Sequence, residues 1–184
     1  MKSHTNLLNL LGPLITSKTR LKLLSRFFLN QNLSGYLQGL SKELEENTNS
    51  IRVELNRLEE AGMLSSTLEG RRKLYRVNAL HPLASDITSI VRKVSGIDAL
   101  IERVTANLPS LEQVWIRGDL AKGLPSENIE AILVGADLDR SYIKQLTEKA
   151  QSLIGKTITV KVEEVIDAKD VKNGLLVWQE TDNQ

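Results

Sequence analysis

The sequence predicts an α+β chain: an N-terminal winged helix-turn-helix over residues 1–80, a linker helix over 81–108 and an α/β domain with a small mixed sheet over 109–184. Three observations predict it. Between Tyr36 and Val77, two short apolar stripes at helical spacing are followed by a basic hairpin. From Leu83 to Leu108, apolar residues again recur at helical spacing. Beyond Pro109, short runs of β-type apolar residues flank one more helical stripe. A length of 184 residues is large for one domain and suits two small ones.

Composition narrows the setting. Hydrophobic residues make up 41% of the chain, enough for a core, and aromatics only 4%, so the core is aliphatic. The chain has no cysteine, which excludes disulfides and thiolate metal sites and points to a cytoplasmic protein. No apolar run approaches a membrane span. Leu7 to Ile15 is apolar but is interrupted by Asn9, Gly12 and Pro13, and reads as an N-terminal packing arm rather than a signal peptide. The net charge of +1 conceals a split, with +5 on residues 1–80 and −4 on residues 81–184. A basic half on an acidic half suits one DNA-facing and one partner-facing domain.

The N-terminal elements follow in order. Ser17 or Thr19 caps a helix running to about Leu29, with Leu21, Leu24 and Phe28 inward. Asn30 to Gly35 ends it. Leu37, Leu40 and Leu44 stripe a second helix, and Glu46-Asn47-Thr48-Asn49 forms the turn after it. Ile51, Leu55 and Leu58 mark a third helix, stopped by Gly62. Leu64-Ser-Ser-Thr67 and Lys73-Leu-Tyr-Arg-Val77 read as strands joined through Glu69-Gly70-Arg71.

Burying Ile51, Leu55 and Leu58 turns Ser50, Arg52, Val53, Asn56 and Arg57 toward solvent, while Asn47, Thr48 and Asn49 sit at the N-terminus, where free amides favour a phosphate. Arg can fork onto guanine, Asn onto adenine, and Ser or Thr onto base edge or phosphate. Arg71, Arg72 and Lys73 form a cationic tip beside a Gly turn, suited to backbone or minor-groove contact. A polar helix face alone is an ordinary solvated face. Combined with the turn, the capped helix and the triple-basic hairpin, it makes double-stranded DNA the expected partner.

Tyr36-Leu-Gln-Gly-Leu-Ser-Lys-Glu-Leu, then Ser50-Ile-Arg-Val-Glu-Leu-Asn-Arg-Leu-Glu-Glu-Ala-Gly-Met-Leu64, resembles the winged-helix transcriptional regulators of bacteria and archaea. The Arg57-Leu-Glu-Glu-Ala-Gly62 close and the Gly70-Arg-Arg-Lys-Leu-Tyr-Arg-Val-Asn78 hairpin look like the arsenic-repressor-type group. The similarity spans about Thr16 to Asn78. Many members of that group sense metals through Cys or His. This chain has no Cys, and His4 and His81 lie far apart, so metal sensing does not carry over.

His81-Pro82 opens the linker, with Leu83, Ile87, Ile90, Val91 and Val94, then Ile97, Leu100, Ile101, Val104 and Leu108 beyond Gly96. One long or broken helix here packs internally or forms a dimer seam, and the resemblance implies a homodimer reading two half-sites. Then come a strand at Val114-Trp115-Ile116 and a second from Ile129 to Val134. A helix face of Tyr142, Ile143, Leu146, Ala150 and Leu153 leads to a third strand at Ile158, Val160 and Val162. The tail from Asp167 ends in a strand through Leu175-Leu-Val-Trp178 or in a helix.

Gly118-Asp-Leu-Ala-Lys-Gly123 with Glu127-Asn-Ile-Glu-Ala-Ile-Leu-Val-Gly135 resembles the minimal nucleotidyltransferase domain of the polymerase-beta-like superfamily. There a Gly-Ser turn precedes a strand with two aspartates at i, i+2. Such residues point the same way and grip two magnesium ions against a nucleotide triphosphate. Here Asp119 replaces the serine beside Gly118, Asn128 and Glu130 replace the aspartates, and the third carboxylate position falls near Thr159. Arg117 and Lys122 could hold an anion or be plain surface charges. These departures predict a degenerate domain that is not an enzyme and binds no cofactor or metal. The reading is a DNA-binding transcriptional regulator whose second domain serves a small-molecule or protein effector. The alternatives are a nucleotidyltransferase targeted by its winged helix, or a protein–protein interaction module.

Overall fold

The computed structural model describes residues 13–180, so most of the apolar segment from Leu7 to Ile15 lies outside the described residues. The chain divides into two compact units. Among the described residues, one holds Pro13 to Arg92 together with Lys122–Pro125; the other holds Lys93–Ala121 and Ser126 to Glu180.

The first unit begins with α1 (Lys18–Phe28), capped by Ser17, whose hydroxyl oxygen accepts the Arg20 N–H at 3.2 Å. Burial extends well beyond the expected stripe. Leu23 and Phe27 are as hidden as Leu21, Leu24 and Phe28, so α1 is the central rod of the unit. A short strand β1 (Ser34–Tyr36) follows. Three residues that include a glycine carry no alternation, so β1 has no sequence signature; its pairing with Leu74 to Arg76 creates it. Next come α2 (Leu37–Glu43) and α3 (Thr48–Glu60). The hairpin strands β2 (Leu64–Glu69) and β3 (Arg72–Val77) complete a three-stranded antiparallel sheet in the order β1-β3-β2. Leu40, Ile51, Leu55 and Leu58 close over α1 as their spacing requires.

The expected linker helix is two helices, α4 (Ala84–Ser95) and α5 (Ile97–Thr105). Gly96 breaks them with φ 89, a left-handed value that side chains resist, and a Cβ there would lie 2.7 Å from the Ile154 side chain. The second unit continues with β4 (Gln113–Arg117), α6 (Gly118–Ala121), β5 (Asn128–Val134), α7 (Arg140–Ile154) and β6 (Thr157–Glu163). It ends in α8 (Ala168–Asn173) and β7 (Leu175–Gln179), so the tail is a strand. The sheet order is β6-β5-β4-β7, with β5 and β6 parallel across the α7 crossover and the other pairs antiparallel. Leu100, Val104, Ile143, Leu146 and Ala150 are buried with Val114, Ile116, Ile129 and Ile158 of the sheet. Among the described residues no helix is long and apolar enough to cross a membrane.

Candidate functional site

In the first unit the candidate site is built on α3. The Asn47 side chain caps it, accepting the Asn49 N–H at 2.8 Å. Arg52, Val53, Asn56 and Arg57 are exposed and Ser50 is half-buried. Thr48 is turned inward instead, its hydroxyl 2.9 Å from that of Ser41. Arg52 donates to the Asn49 Oδ1 at 2.6 Å, which holds its guanidinium along the helix.

The hairpin cations stand beside this face. Arg52 and Asn56 line one concavity of about 300 Å³ with Arg71, Arg72 and Lys73. Each element supplies a fixed part. Lys73 is anchored by Glu59 at 3.0 Å, and the Ser66 hydroxyl donates to the same carboxylate at 2.5 Å. Those bonds hold the Glu59 carboxyl below the usual carboxylate range, and Glu59 in turn raises the Lys73 ammonium. The Arg72 guanidinium lies 4.5 Å from the centre of the Tyr36 ring, and the Tyr36 hydroxyl donates to Glu69.

Glu54 was not foreseen. Although its neighbours Arg52 and Val53 are exposed, it is only 5% exposed itself. It accepts from the Ser17 hydroxyl and the Arg20 Nε, each at 2.8 Å, and from Arg57 at 3.2 Å. Burial alone would raise its carboxyl; the bonds from Arg20 and Ser17 with the charges of Arg20 and Arg57 outweigh that and lower it. Arg57 is therefore held through Glu54 rather than presented freely. Tyr36, Gln38 and Tyr75 also line the concavity and were not singled out as site residues. Tyr36 and Tyr75 stand at the start of α2 and within the basic hairpin, where an aromatic beside cations is the signal that would have found them.

In the second unit, the positions matched to the nucleotidyltransferase motif do converge. Residues opposite one another in adjacent strands share a sheet face. Arg117 stands opposite Glu130, Glu130 opposite Thr159, and Asn128 opposite Thr157. The Thr159 hydroxyl donates to the Asn128 Oδ1 at 3.4 Å. Gly118, at φ 65, opens α6, and the Glu130 carboxylate occupies the space that a Cβ on Gly118 would need. Asp119 is exposed on α6.

Cations on this face are engaged by neighbouring carboxylates. Asp170 of α8, 3% exposed, receives Arg117 at 3.2 Å and Lys161 at 3.3 Å, and Lys161 also meets Glu163 at 2.5 Å. A pair of magnesium ions requires several oxygen ligands converging, mostly carboxylates. Asn128 is uncharged, Thr159 stands where a third carboxylate would be, and no group of three or more metal-binding side chains occurs among the described residues. This donor set does not fit a two-metal centre.

No family model matches the chain, and no curated protein matches it. Solved structures do resemble part of it. A MntA–HepT toxin–antitoxin structure is 18% identical over 48% of this chain and 73% of that one, with a TM-score of 0.38. A tri-AMPylated Shewanella oneidensis HEPN toxin in complex with its MNT antitoxin gives 17%, 48%, 73% and 0.38. A toxin–antitoxin structure with AMP-PNP gives 20%, 45%, 73% and 0.40. The resemblance thus reaches under half of this chain. The expectation that the chain is not an enzyme is withdrawn: the structures that resemble part of it include a tri-AMPylated toxin in complex with an antitoxin and a toxin–antitoxin structure with AMP-PNP.

Proposed function

We propose that this chain is a sequence-specific DNA-binding regulator in which a winged helix formed by the first unit reads duplex DNA. The observation that carries the reading is the shared concavity: Arg52 and Asn56 of α3 open onto the same space as Arg71, Arg72 and Lys73 of the hairpin. A base-reading helix and a cationic arm acting on one duplex need such a placement. Arg52 and Asn56 meet base edges. Asn47, Asn49 and Ser50 meet phosphate at the N-terminus of α3, and the hairpin meets the backbone or minor groove. Two chains read two half-sites, associating through exposed Leu83 and Ile90, which lie two helical turns apart at α4.

Gel-shift titration of genomic fragments tests this. Affinity falls steeply as salt rises, and two chains bind per site. Arg52→Ala or Asn56→Ala costs about 1–3 kcal/mol on the specific site, whereas Arg71→Ala weakens all DNA and lowers the salt slope by about 1. Binding indifferent to salt, or no binding to any genomic fragment, overturns the reading.

A second reading is nucleotidyl transfer by the second unit, with a protein as acceptor. Asn128, Glu130 and Thr159 share one sheet face and Gly118 lies against the Glu130 carboxylate, a juxtaposition that favours it without the ligands of a two-metal centre. Incubation with α-labelled nucleotide triphosphates and Mg²⁺ decides it: label transfer abolished by Glu130→Gln supports it, and no transfer to any co-purified protein rejects it.

A further inference from the structure

The concavity of the first unit contains more than a DNA backbone requires. Its volume of about 300 Å³ falls at the small end of small-molecule sites. Tyr36, Leu37 and Tyr75 supply apolar wall, and Gln38 and Asn56 add two amides. Arg52, Arg71 and Lys73 stand at its polar side. The Arg72–Tyr36 stack is already formed at 4.5 Å, with the Tyr36 hydroxyl tied to Glu69. Lys73 is held by Glu59 and sits 6.0 Å from the centre of the Tyr75 ring.

Those parts match one ligand chemistry. A flat heterocycle extends a stack of aromatic ring and guanidinium plane, and prior ordering of that stack lowers the cost of binding. Each amide offers a donor beside an acceptor, the pattern of a purine edge. Arginine and lysine at the mouth suit a phosphate. The two nearby carboxylates, Glu59 and Glu69, are each occupied by a donor within the unit.

We propose that this concavity binds a purine nucleoside phosphate. The base lies against the Tyr36–Arg72 stack with its edge on Gln38 and Asn56, and the phosphates meet Arg52, Arg71 and Lys73. The site is distinct from the sheet face of the second unit. Nucleotide and duplex exclude one another, because both use Arg52, Asn56 and the hairpin cations. That competition rests on the DNA reading, whereas the nucleotide binding does not.

Equilibrium dialysis of the full chain against ATP, GTP and inorganic triphosphate tests it. At least one nucleotide binds, and triphosphate binds at least tenfold more weakly. Asn56→Ala, Gln38→Ala and Tyr36→Leu each weaken binding about tenfold. Far-UV circular dichroism verifies that the variants are folded, and Gln38, exposed, provides a change that leaves the core intact. Binding of neither nucleotide, equal binding of triphosphate, or binding abolished by Glu130→Gln overturns the proposal. Nucleotide binding without DNA binding rejects the DNA reading alone, and DNA binding without nucleotide binding rejects this one alone.

Discussion

Glu54 is the residue on which the first unit's stability turns. Its carboxylate joins α3 to α1 through Ser17 and Arg20, 37 and 34 positions earlier in the chain. Helical spacing puts it near Ile51 and Leu58 on the inward side, but a charged residue in the run Arg52-Val53-Glu54 reads as solvated until its distant partners are known. Glu54→Ala removes three bonds and strands the partly buried end of Arg20. We expect a loss of about 2 kcal/mol in denaturant unfolding, with Glu54→Gln, which keeps an acceptor, losing less. Equal stability of Glu54→Ala and the parent chain refutes this role.

At the scale of elements, Gly96 decides the linker. The apolar spacing from Leu83 to Leu108 suits one helix as well as two, and only the left-handed φ at Gly96 separates α4 from α5. The close approach of the Ile129 and Ile154 side chains leaves no room for a Cβ. Gly96→Ala incurs both backbone strain and a clash, and should lower stability by about 1–3 kcal/mol, measured as a fall in Tm. An unchanged Tm would mean that the break tolerates an ordinary residue. The hairpin shows the reverse case. The runs Leu64 to Thr67 and Lys73 to Val77, joined through Glu69-Gly70-Arg71, suffice to locate β2 and β3, because a two-stranded ribbon is a local structure.

At the scale of the whole molecule, three carboxyls of the first unit give the fold an acid sensitivity. Glu46, Glu54 and Glu59, all in the first unit, have carboxyls held below their ordinary range. For Glu46 the chief cause is the bond from Lys22, and for Glu59 the bond from Ser66. A carboxyl depressed in the folded state contributes stability that is complete above its unfolded pKa and is lost as pH falls through the folded one. The first unit therefore loses stability as pH drops below about 4. Glu46→Gln with Glu59→Gln should flatten the fall in stability between about pH 5 and pH 3 seen in denaturant unfolding of the parent chain; an unchanged pH dependence refutes the role of these carboxyls.

By itself, the sequence determined the elements whose cause is local: a cap at Ser17 or Thr19, the stripe of Ile51, Leu55 and Leu58, the basic hairpin, and the succession of strand, loop, strand, helix and strand after Pro109. Strand period also puts Asn128 and Glu130 on one face, and the nucleotidyltransferase resemblance set Thr159 beside them. Tertiary structure decided what depends on contacts between distant segments. Strand β1 exists only because β3 pairs with it. Arg117 is engaged because Asp170, 53 positions later, is buried against it. The concavity that holds Tyr36, Asn56 and Arg71 together is assembled from α2, α3 and the hairpin. Periodicity records which face of an element is buried; it carries no record of which other element covers that face, and the chemistry of both candidate sites depends on that.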